Sequence, residues 1–287
     1  MLLRTEQLTK DYGRFRALDS LDLQVAPGEI FGLLGPNGSG KSTALRLMLG
    51  FLRPTLGHAW IGEHECWSDS VAARRQVAYL PGELRLYENM TCRQLVQFLG
   101  RLRGQRDFHD LEPLARAFDI DISRPLATLS SGMKRKVALL QVLLPRTPLV
   151  ILDEPTNALD PTMRDELLEQ IREARRRGQA VLFSSHVLGE VEQVCDRVGI
   201  LKEGKLVHVQ RLADLRSAKR VHVWSDNDQI TPPAKTGVVR KERELIFDYD
   251  GPLPELLAWL AGQAVRDVRI EPQGLGPIYH RYHGNEA

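Results

Sequence analysis

The sequence lacks the long hydrophobic runs of a membrane protein. Hydrophobic residues make up 43% of its 287 residues, yet no run approaches the roughly 18 consecutive apolar residues that a spanning helix needs. The first residues also turn polar within a few positions of Met1, unlike a secretory signal peptide. We therefore expect a cytoplasmic chain, which would reach a membrane only through a partner.

Cysteine and net charge are scarce as well. The three cysteines, Cys66, Cys92 and Cys195, form no C-x-x-C pair, so we expect reduced thiols rather than a disulfide framework or a zinc site. The 39 basic and 37 acidic residues leave a formal net charge of +2. Such a balance gives no electrostatic reason to expect nucleic acid as the main partner. The length allows one large domain, or one medium and one small domain.

A glycine-rich segment at residues 35–43 carries the strongest chemical signal. It consists of Gly35, Pro36, Asn37, Gly38, Ser39, Gly40, Lys41, Ser42 and Thr43, after an apolar run and before a stretch with helical spacing. Glycine permits backbone conformations in which several N–H groups converge on phosphate oxygens at a helix N-terminus. Lys41 would place a cation on the terminal phosphates of ATP, and Ser42 a hydroxyl on Mg²⁺. The segment therefore predicts a nucleotide-binding protein.

Two acidic residues follow the apolar run at residues 149–152. Parallel α/β sheets assemble their ligand sites at the carboxyl ends of their strands, where Asp153 and Glu154 would lie. Asp153 could hold Mg²⁺ through water, and Glu154 could deprotonate the water that attacks the γ-phosphate. The alternative is that both acids merely end a strand.

Hydrophobic spacing predicts an α/β fold. Strands are expected near residues 2–9, 21–25, 30–34, 77–80, 149–152 and 180–184, and helices near 90–103, 111–118, 132–144 and 162–177. We expect a mixed sheet with flanking helices as the main domain. The residues after 216 show a shorter pattern of strands and helices without catalytic groups, which predicts a small C-terminal α+β domain.

Several of these segments together resemble the nucleotide-binding subunit of an ATP-binding cassette (ABC) transporter, a P-loop NTPase. The similar segments are the phosphate loop, the acids after residue 152, the signature-like Leu129–Met133, the D-loop-like Asn157–Asp160, the switch histidine His186, and Tyr12, which stands where the family places an aromatic residue on adenine. The resemblance covers residues 1–216, with a helical signature subdomain at about 84–145. Residues 217–287 would form the accessory domain.

The resemblance implies that two copies sandwich ATP. Ser130, Ser131, Gly132 and Asp160 of one copy would then complete the site of the other, and His186 would assist Glu154 in catalysis. Simpler alternatives exist for each segment taken alone. Ser130 and Ser131 could be a plain helix N-cap, His186 a satisfied core histidine, and Tyr12 an ordinary residue before a turn.

The chain departs from the family pattern at two places. Gly82 stands where the family usually has glutamine, and Glu83 beside it could replace that side chain as a water or magnesium contact, or simply be solvated. In the signature, Ser131 replaces a glycine and Met133 a glutamine. The resemblance also makes residues 84–90 the surface that would receive a membrane partner.

The sequence thus predicts an ATPase subunit that dimerises on ATP and drives a separate integral-membrane permease from the inner face of the cell membrane. Resemblance to exporter-type, drug-resistance-like subunits favours export. The alternatives are an importer subunit and a non-transport ATPase switch acting on ribosomes or DNA. The transported molecule is not encoded in this chain, because selectivity would reside in the permease.

Overall fold

The computed structural model describes residues 1–217, 219–226, 230–233 and 238–284, without the side chains of 216 and 217. The chain divides into two compact units, Met1–Val209 and Gln210–Ala287. This division places the helix at Leu212–Ser217 in the second unit. The boundary expected near residue 216 stays a prediction.

The strands up to Arg211 form two separate sheets. In chain order they are β1 (Leu3–Tyr12), β2 (Phe15–Val25), β3 (Ile30–Leu34), β4 (Leu56–Ile61), β5 (His64–Glu65), β6 (Val77–Leu80), β7 (Leu149–Asp153), β8 (Ala180–Ser185), β9 (Arg197–Lys202) and β10 (Lys205–Arg211). One sheet has the order β2-β1-β4-β5 and is antiparallel. The other has the order β10-β9-β3-β8-β7-β6, and its strands from β9 to β6 pair in parallel.

Helices surround the parallel strands. They are α1 (Lys41–Met48), α2 (Ser70–Arg75), α3 (Cys92–Leu102), α4 (Leu111–Ala117), α5 (Ser131–Leu143), α6 (Pro161–Arg176) and α7 (Leu188–Val194). The strands β3, β7 and β8 are buried along their whole length, as expected for parallel strands covered on both faces. Side chains from β3, β7 and α1, including Phe31, Leu45 and Ile151, share one hydrophobic core.

The carboxyl ends of the parallel strands bring distant segments together. Leu34 pairs with Ser185, Asp153 pairs with Ser184, and Leu80 pairs with Leu152. The loops that follow β3, β6, β7 and β8 therefore leave the sheet at one edge. This edge holds the phosphate loop, the loop of Gly82, the turn at Glu154 and His186.

The second unit is a small α+β arrangement. Its elements are α8 (Leu212–Ser217), β11 (Lys219–Trp224), β12 (Val239–Lys241), β13 (Glu244–Tyr249), α9 (Leu253–Ala261), β14 (Asp267–Pro272) and α10 (Gly276–His283). The sheet has the order β12-β13-β11-β14, and all its pairs are antiparallel. Alternate residues such as Val221, Val223 and Phe247 pack with Leu256 and Leu260 of α9.

The α/β class with flanking helices is confirmed, and the mixed sheet expected at the start of the chain is two sheets. The strands β1 and β2 belong to the antiparallel sheet, whereas β3 belongs to the parallel one. Three elements in the first 80 residues were not expected from the sequence, namely β4, β5 and α2. Among the described residues, no helix has both the length and the hydropathy to cross a bilayer.

The three cysteines are free and buried. Burial raises the pKa of the Cys66 and Cys92 thiols to about 12 and that of Cys195 well above its usual value. Because the thiolate is the reactive form, these groups are inert at neutral pH.

Candidate nucleotide site

The backbone of the phosphate loop is shaped to receive an anion. Gly38 and Gly40 have φ angles of 81° and 104°, and a Cβ on Gly40 would lie 2.7 Å from the carbonyl oxygen of Ala17. The helix α1 begins at Lys41, and no side chain caps its N-terminus. Within the described part of the chain, the buried Oγ of Ser39 has no hydrogen-bond partner. Open N–H groups, an unpaired hydroxyl and the helix dipole fit a phosphate group.

Lys41 points from α1 back across this loop. Its Nζ donates to the carbonyl oxygens of Gly35 at 2.6 Å and Pro36 at 3.1 Å. The same nitrogen lies 3.2 Å from Oε1 of Glu154, and the lysine is only 5% exposed. The charge of Lys41 is thus placed between the phosphate loop and the carboxylate after β7.

Glu154 has a backbone conformation that is unusual for a residue with a side chain. Its φ is 47°, in the left-handed region, which costs about 1–2 kcal/mol for a non-glycine residue. Its N–H donates to Oγ of Ser184 at 3.0 Å and lies 3.2 Å from the Ser184 carbonyl oxygen. Its Oε2 lies 2.7 Å from Nδ1 of His186. The turn therefore aims one carboxylate oxygen at Lys41 and the other at His186.

Asp153 ends β7 and is 4% exposed. Its Oδ1 accepts a hydrogen bond of 2.7 Å from Oγ of Ser184. A Cβ built on Gly82 would lie 3.5 Å from Oδ2, so the second oxygen faces the loop of Gly82. A buried carboxylate and the hydroxyl of Ser42 are hard oxygen donors of the kind that Mg²⁺ prefers when it also binds substrate phosphates. The residues present fit that ion.

The signature-like segment caps α5. Oγ of Ser130 accepts from the backbone N–H of Met133 at 3.3 Å, so Ser130 is the N-cap that the simpler alternative describes. Ser131 begins the helix, and a Cβ on Gly132 would lie 3.1 Å from the carbonyl oxygen of Ala158. Gly132 therefore lies beside the D-loop-like segment of its own chain. A role of these residues in a second copy's site stays a prediction.

Asp160 and Tyr12 lie at other element ends. Oδ1 of Asp160 accepts from the Met163 N–H at 2.9 Å and caps α6. Tyr12 ends β1, is 47% exposed, and has the Lys10 ammonium 5.3 Å from its ring centroid. At the tip of the phosphate loop Asn37 is exposed, whereas Thr43 on α1 is partly buried.

Arg135 is a site residue that the sequence analysis did not identify. It lies on α5 and is 3% exposed. Its guanidinium donates to five carbonyl oxygens, those of Pro81, Gly82, Asp153, Glu154 and Pro155. A usable signal was present, because Arg135 precedes the buried Ala138, Leu139 and Val142 at helical spacing and so lies on the apolar face of α5.

Glu190 is a second residue that was missed. It lies on α7, which was not expected from the sequence, and is 3% exposed. Its Oε2 accepts from the hydroxyls of Thr156 at 2.9 Å and Ser185 at 3.0 Å. Its Oε1 lies 3.1 Å from Nε of Arg164 on α6. Glu190 therefore joins the segment after Glu154 to the end of β8, next to His186.

Comparison with known proteins places this geometry in a family. The sequence model described as "ABC transporter" matches residues 18–157. The chain is 31% identical over 293 residues to the ABC transporter ATP-binding protein YhaQ of Bacillus subtilis, covering 97% of each chain. It is 30% identical over 221 residues to the linearmycin resistance ATP-binding protein LnrL of the same organism, covering 75% of this chain and 71% of the relative.

A solved structure agrees with the sequence relatives. The structure described as the ATP binding subunit of an ABC transporter superposes with a TM-score of 0.71 at 32% identity, over 75% of this chain and 92% of the other. Together with the phosphate loop, the acids after β7 and His186 at one sheet edge, these likenesses decide the assignment. The chain belongs to the ABC transporter ATP-binding proteins, with drug-resistance subunits among its relatives.

Proposed function

We propose that this chain hydrolyses ATP and thereby drives a separate membrane-spanning permease. The observation that carries the proposal is the position of Glu154, whose carboxylate lies 3.2 Å from the Lys41 ammonium and 2.7 Å from the His186 ring. A carboxylate in that position can accept a proton from a water that attacks the phosphate held by Lys41.

Each residue of the cluster has a distinct task in this proposal. Lys41 and the N–H groups of the phosphate loop bind the phosphates, and their positive charges oppose the charge that develops during transfer. Glu154 takes the proton of the attacking water, and His186 holds the Glu154 carboxylate in line. Mg²⁺, held by Ser42 and Asp153, would neutralise phosphate charge when bound. Tyr12 would stack on adenine.

Dimerisation is part of the proposal. The N-terminus of α5 holds Ser130, Ser131 and Gly132, and that of α6 holds Asp160. The backbone N–H groups at a helix N-terminus favour an anion. Because this chain has its own phosphate loop, those helix ends would contact the ATP of a second copy. Glu154→Gln in the presence of ATP should then give a dimer by light scattering, with the wild type in ADP as the monomeric control. A purely monomeric variant under saturating ATP would contradict the sandwich.

The permease, its location and the direction of transport are the finer part of the proposal. We propose that the chain acts as a peripheral subunit on the inner face of the cell membrane and supports export, since LnrL is named for linearmycin resistance. Affinity purification from solubilised membranes should recover a polytopic membrane protein. Recovery of ribosomes or DNA instead would support the non-transport switch, and uptake by the reconstituted complex would support an importer.

A further inference from the structure

The buried guanidinium of Arg135 contacts two loops of the site at once. Nη1 donates to the carbonyl oxygens of Pro81 and Gly82, each at 2.9 Å. Nη2 donates to those of Asp153 at 3.0 Å and Glu154 at 2.5 Å. One side chain of α5 therefore fixes the backbone after β6 and the backbone after β7.

These contacts use the full donor set of the side chain. With Nε bound to the Pro155 carbonyl at 3.2 Å, five hydrogen bonds satisfy the five N–H groups of the guanidinium. Burial lowers the pKa of Arg135, and the carboxylates of Asp153 and Glu154 oppose that effect. Since the rigid, planar fork is fully engaged, the positions of both loops are set by its geometry. A lysine, with a single ammonium, cannot reproduce that arrangement.

Position 82 has no side chain with which to connect the same two loops. A Cβ there would be in ordinary contact with Oδ2 of Asp153, at 3.5 Å, so the space between the loops is accessible from Gly82. The connection is made from α5 instead. Because the signature-like Ser130–Gly132 forms the N-cap and first turn of α5, the same helix carries the predicted phosphate-binding end and the anchor of the Glu154 turn.

We propose that Arg135 is a positioning residue for ATP hydrolysis, which ties the Gly82 loop and the Glu154 turn to the signature helix and thereby keeps the Glu154 carboxylate aligned with the phosphate loop. This inference rests on the proposed function. The hydrogen bonds of the Arg135 guanidinium all go to backbone carbonyls, so its action would be exerted through the backbone of Glu154.

The test compares two conservative substitutions in the full-length protein. Arg135→Lys removes the fork, and Arg103→Lys is the matched control, because Nη1 of Arg103 also donates to a backbone carbonyl, that of Val77 at 3.0 Å. A displacement of about 1 Å at a catalytic group can lower the rate about a hundredfold. We expect kcat of Arg135→Lys to fall at least about tenfold while its Kd for ATP stays within about threefold of the wild type. Arg103→Lys should retain the wild-type kcat and Kd.

Hydrogen–deuterium exchange without nucleotide gives an independent readout. In Arg135→Lys, amides in residues 82–84 and 154–157 should exchange faster than in the wild type and in Arg103→Lys, while those of α1 should not change. A melting curve establishes that each variant is folded. If Arg135→Lys does not fold, Arg135→Gln, which retains two N–H donors without a buried charge, replaces it.

The outcomes separate this inference from the proposed function. Wild-type kcat in a folded Arg135 variant, or exchange in both segments at the level of the control, would overturn the positioning role. A wild-type chain that binds ATP without hydrolysing it would refute the proposed function. Even then, the exchange comparison would decide whether Arg135 fixes the two loops.

Discussion

The phosphate loop and the Glu154 turn lie at the same sheet edge but are built in different ways. The residue types that shape the loop, its glycines and the start of the helix that follows, lie within residues 35–43, and two backbone hydrogen bonds join the loop to Ser185 and Gly204. The turn takes its shape from Ser184, which is 30 residues away, and Arg135, which is 19 residues away. The element that we propose binds phosphate is therefore a local motif, whereas the element that we propose acts in hydrolysis depends on tertiary packing.

Among single substitutions, loss of the Glu154 carboxylate should reduce the rate of ATP hydrolysis most. Glu154→Gln should lower kcat by about a hundredfold to ten-thousandfold, because general-base help is worth that much, and should leave ATP affinity nearly unchanged. Single-turnover and equilibrium binding measurements separate the two quantities. Glu203→Gln is the matched control, since Glu203 also has a φ of 47° and is exposed. Equal losses in both variants would contradict a specific role of the Glu154 carboxylate.

Two glycines of the phosphate loop give the next largest effect. Gly40→Ala should lower the free energy of unfolding by about 2–4 kcal/mol and abolish tight ATP binding, because the new Cβ would lie 2.7 Å from a backbone oxygen at a φ of 104°. Gly38→Ala should lower the free energy of unfolding by only about 1–2 kcal/mol. Its Cβ would meet nothing within 4 Å, so the cost comes from the left-handed φ of 81° alone. Urea denaturation checks both, and the same loss in the two variants would contradict the steric argument.

Two buried serines, Ser184 and Ser39, should differ in their effect on stability. Ser184→Ala should lower the free energy of unfolding by about 1–3 kcal/mol, because it leaves Oδ1 of Asp153 and the N–H of Glu154 with fewer partners. Ser39→Ala should not lower the stability of the nucleotide-free protein and should raise its free energy of unfolding by up to about 1–3 kcal/mol, since it removes a buried hydroxyl that has no partner among the described residues. Thermal unfolding of each variant without nucleotide measures these changes in stability. The reverse order of the two effects would show that the turn is not held by Ser184.

The smallest effect concerns the aromatic residue assigned to adenine. Tyr12→Ala should weaken ATP binding by about 0.5–1.5 kcal/mol through lost stacking, without a change in stability beyond that of Phe15→Ala. The two residues face each other in the β1–β2 pairing and are 47% and 65% exposed, which makes Phe15 a close control. Calorimetric titration with ATP and with inorganic triphosphate distinguishes a contact to adenine from a contact to the phosphates. The triphosphate lacks the base, so it should bind both variants with equal affinity.

The difference between local motifs and tertiary packing also explains which features the sequence could predict. The phosphate loop, the position of Asp153 and the α/β class follow from short-range patterns of glycine and apolar residues. The strand β4 was missed because its residues Gly57 and His58 break the apolar alternation, and the strand exists through pairing of Leu3 with Ile61 and Thr5 with Ala59. The extended conformation of β4 is therefore stabilised by its pairing with β1 rather than by the strand propensity of its own residues.

Arg135 and Glu190 could not be assigned to the site for a related reason. Each contacts backbone or hydroxyl groups that are distant in sequence, and no spacing rule connects a helix residue to such groups. The one local sign was a charged residue at an apolar position of a helix, which indicates a buried partner without identifying it.

The buried cysteines have a practical consequence for spectroscopy. Since Cys66, Cys92 and Cys195 are enclosed and their thiols stay protonated at neutral pH, maleimide reagents should leave the native protein almost unmodified. A cysteine introduced at a surface position, such as Tyr87→Cys where the side chain is 61% exposed, would then carry a dye selectively. Fluorescence from such a probe would then report whether adding nucleotide alters the surroundings of residue 87, with no need for a cysteine-free background.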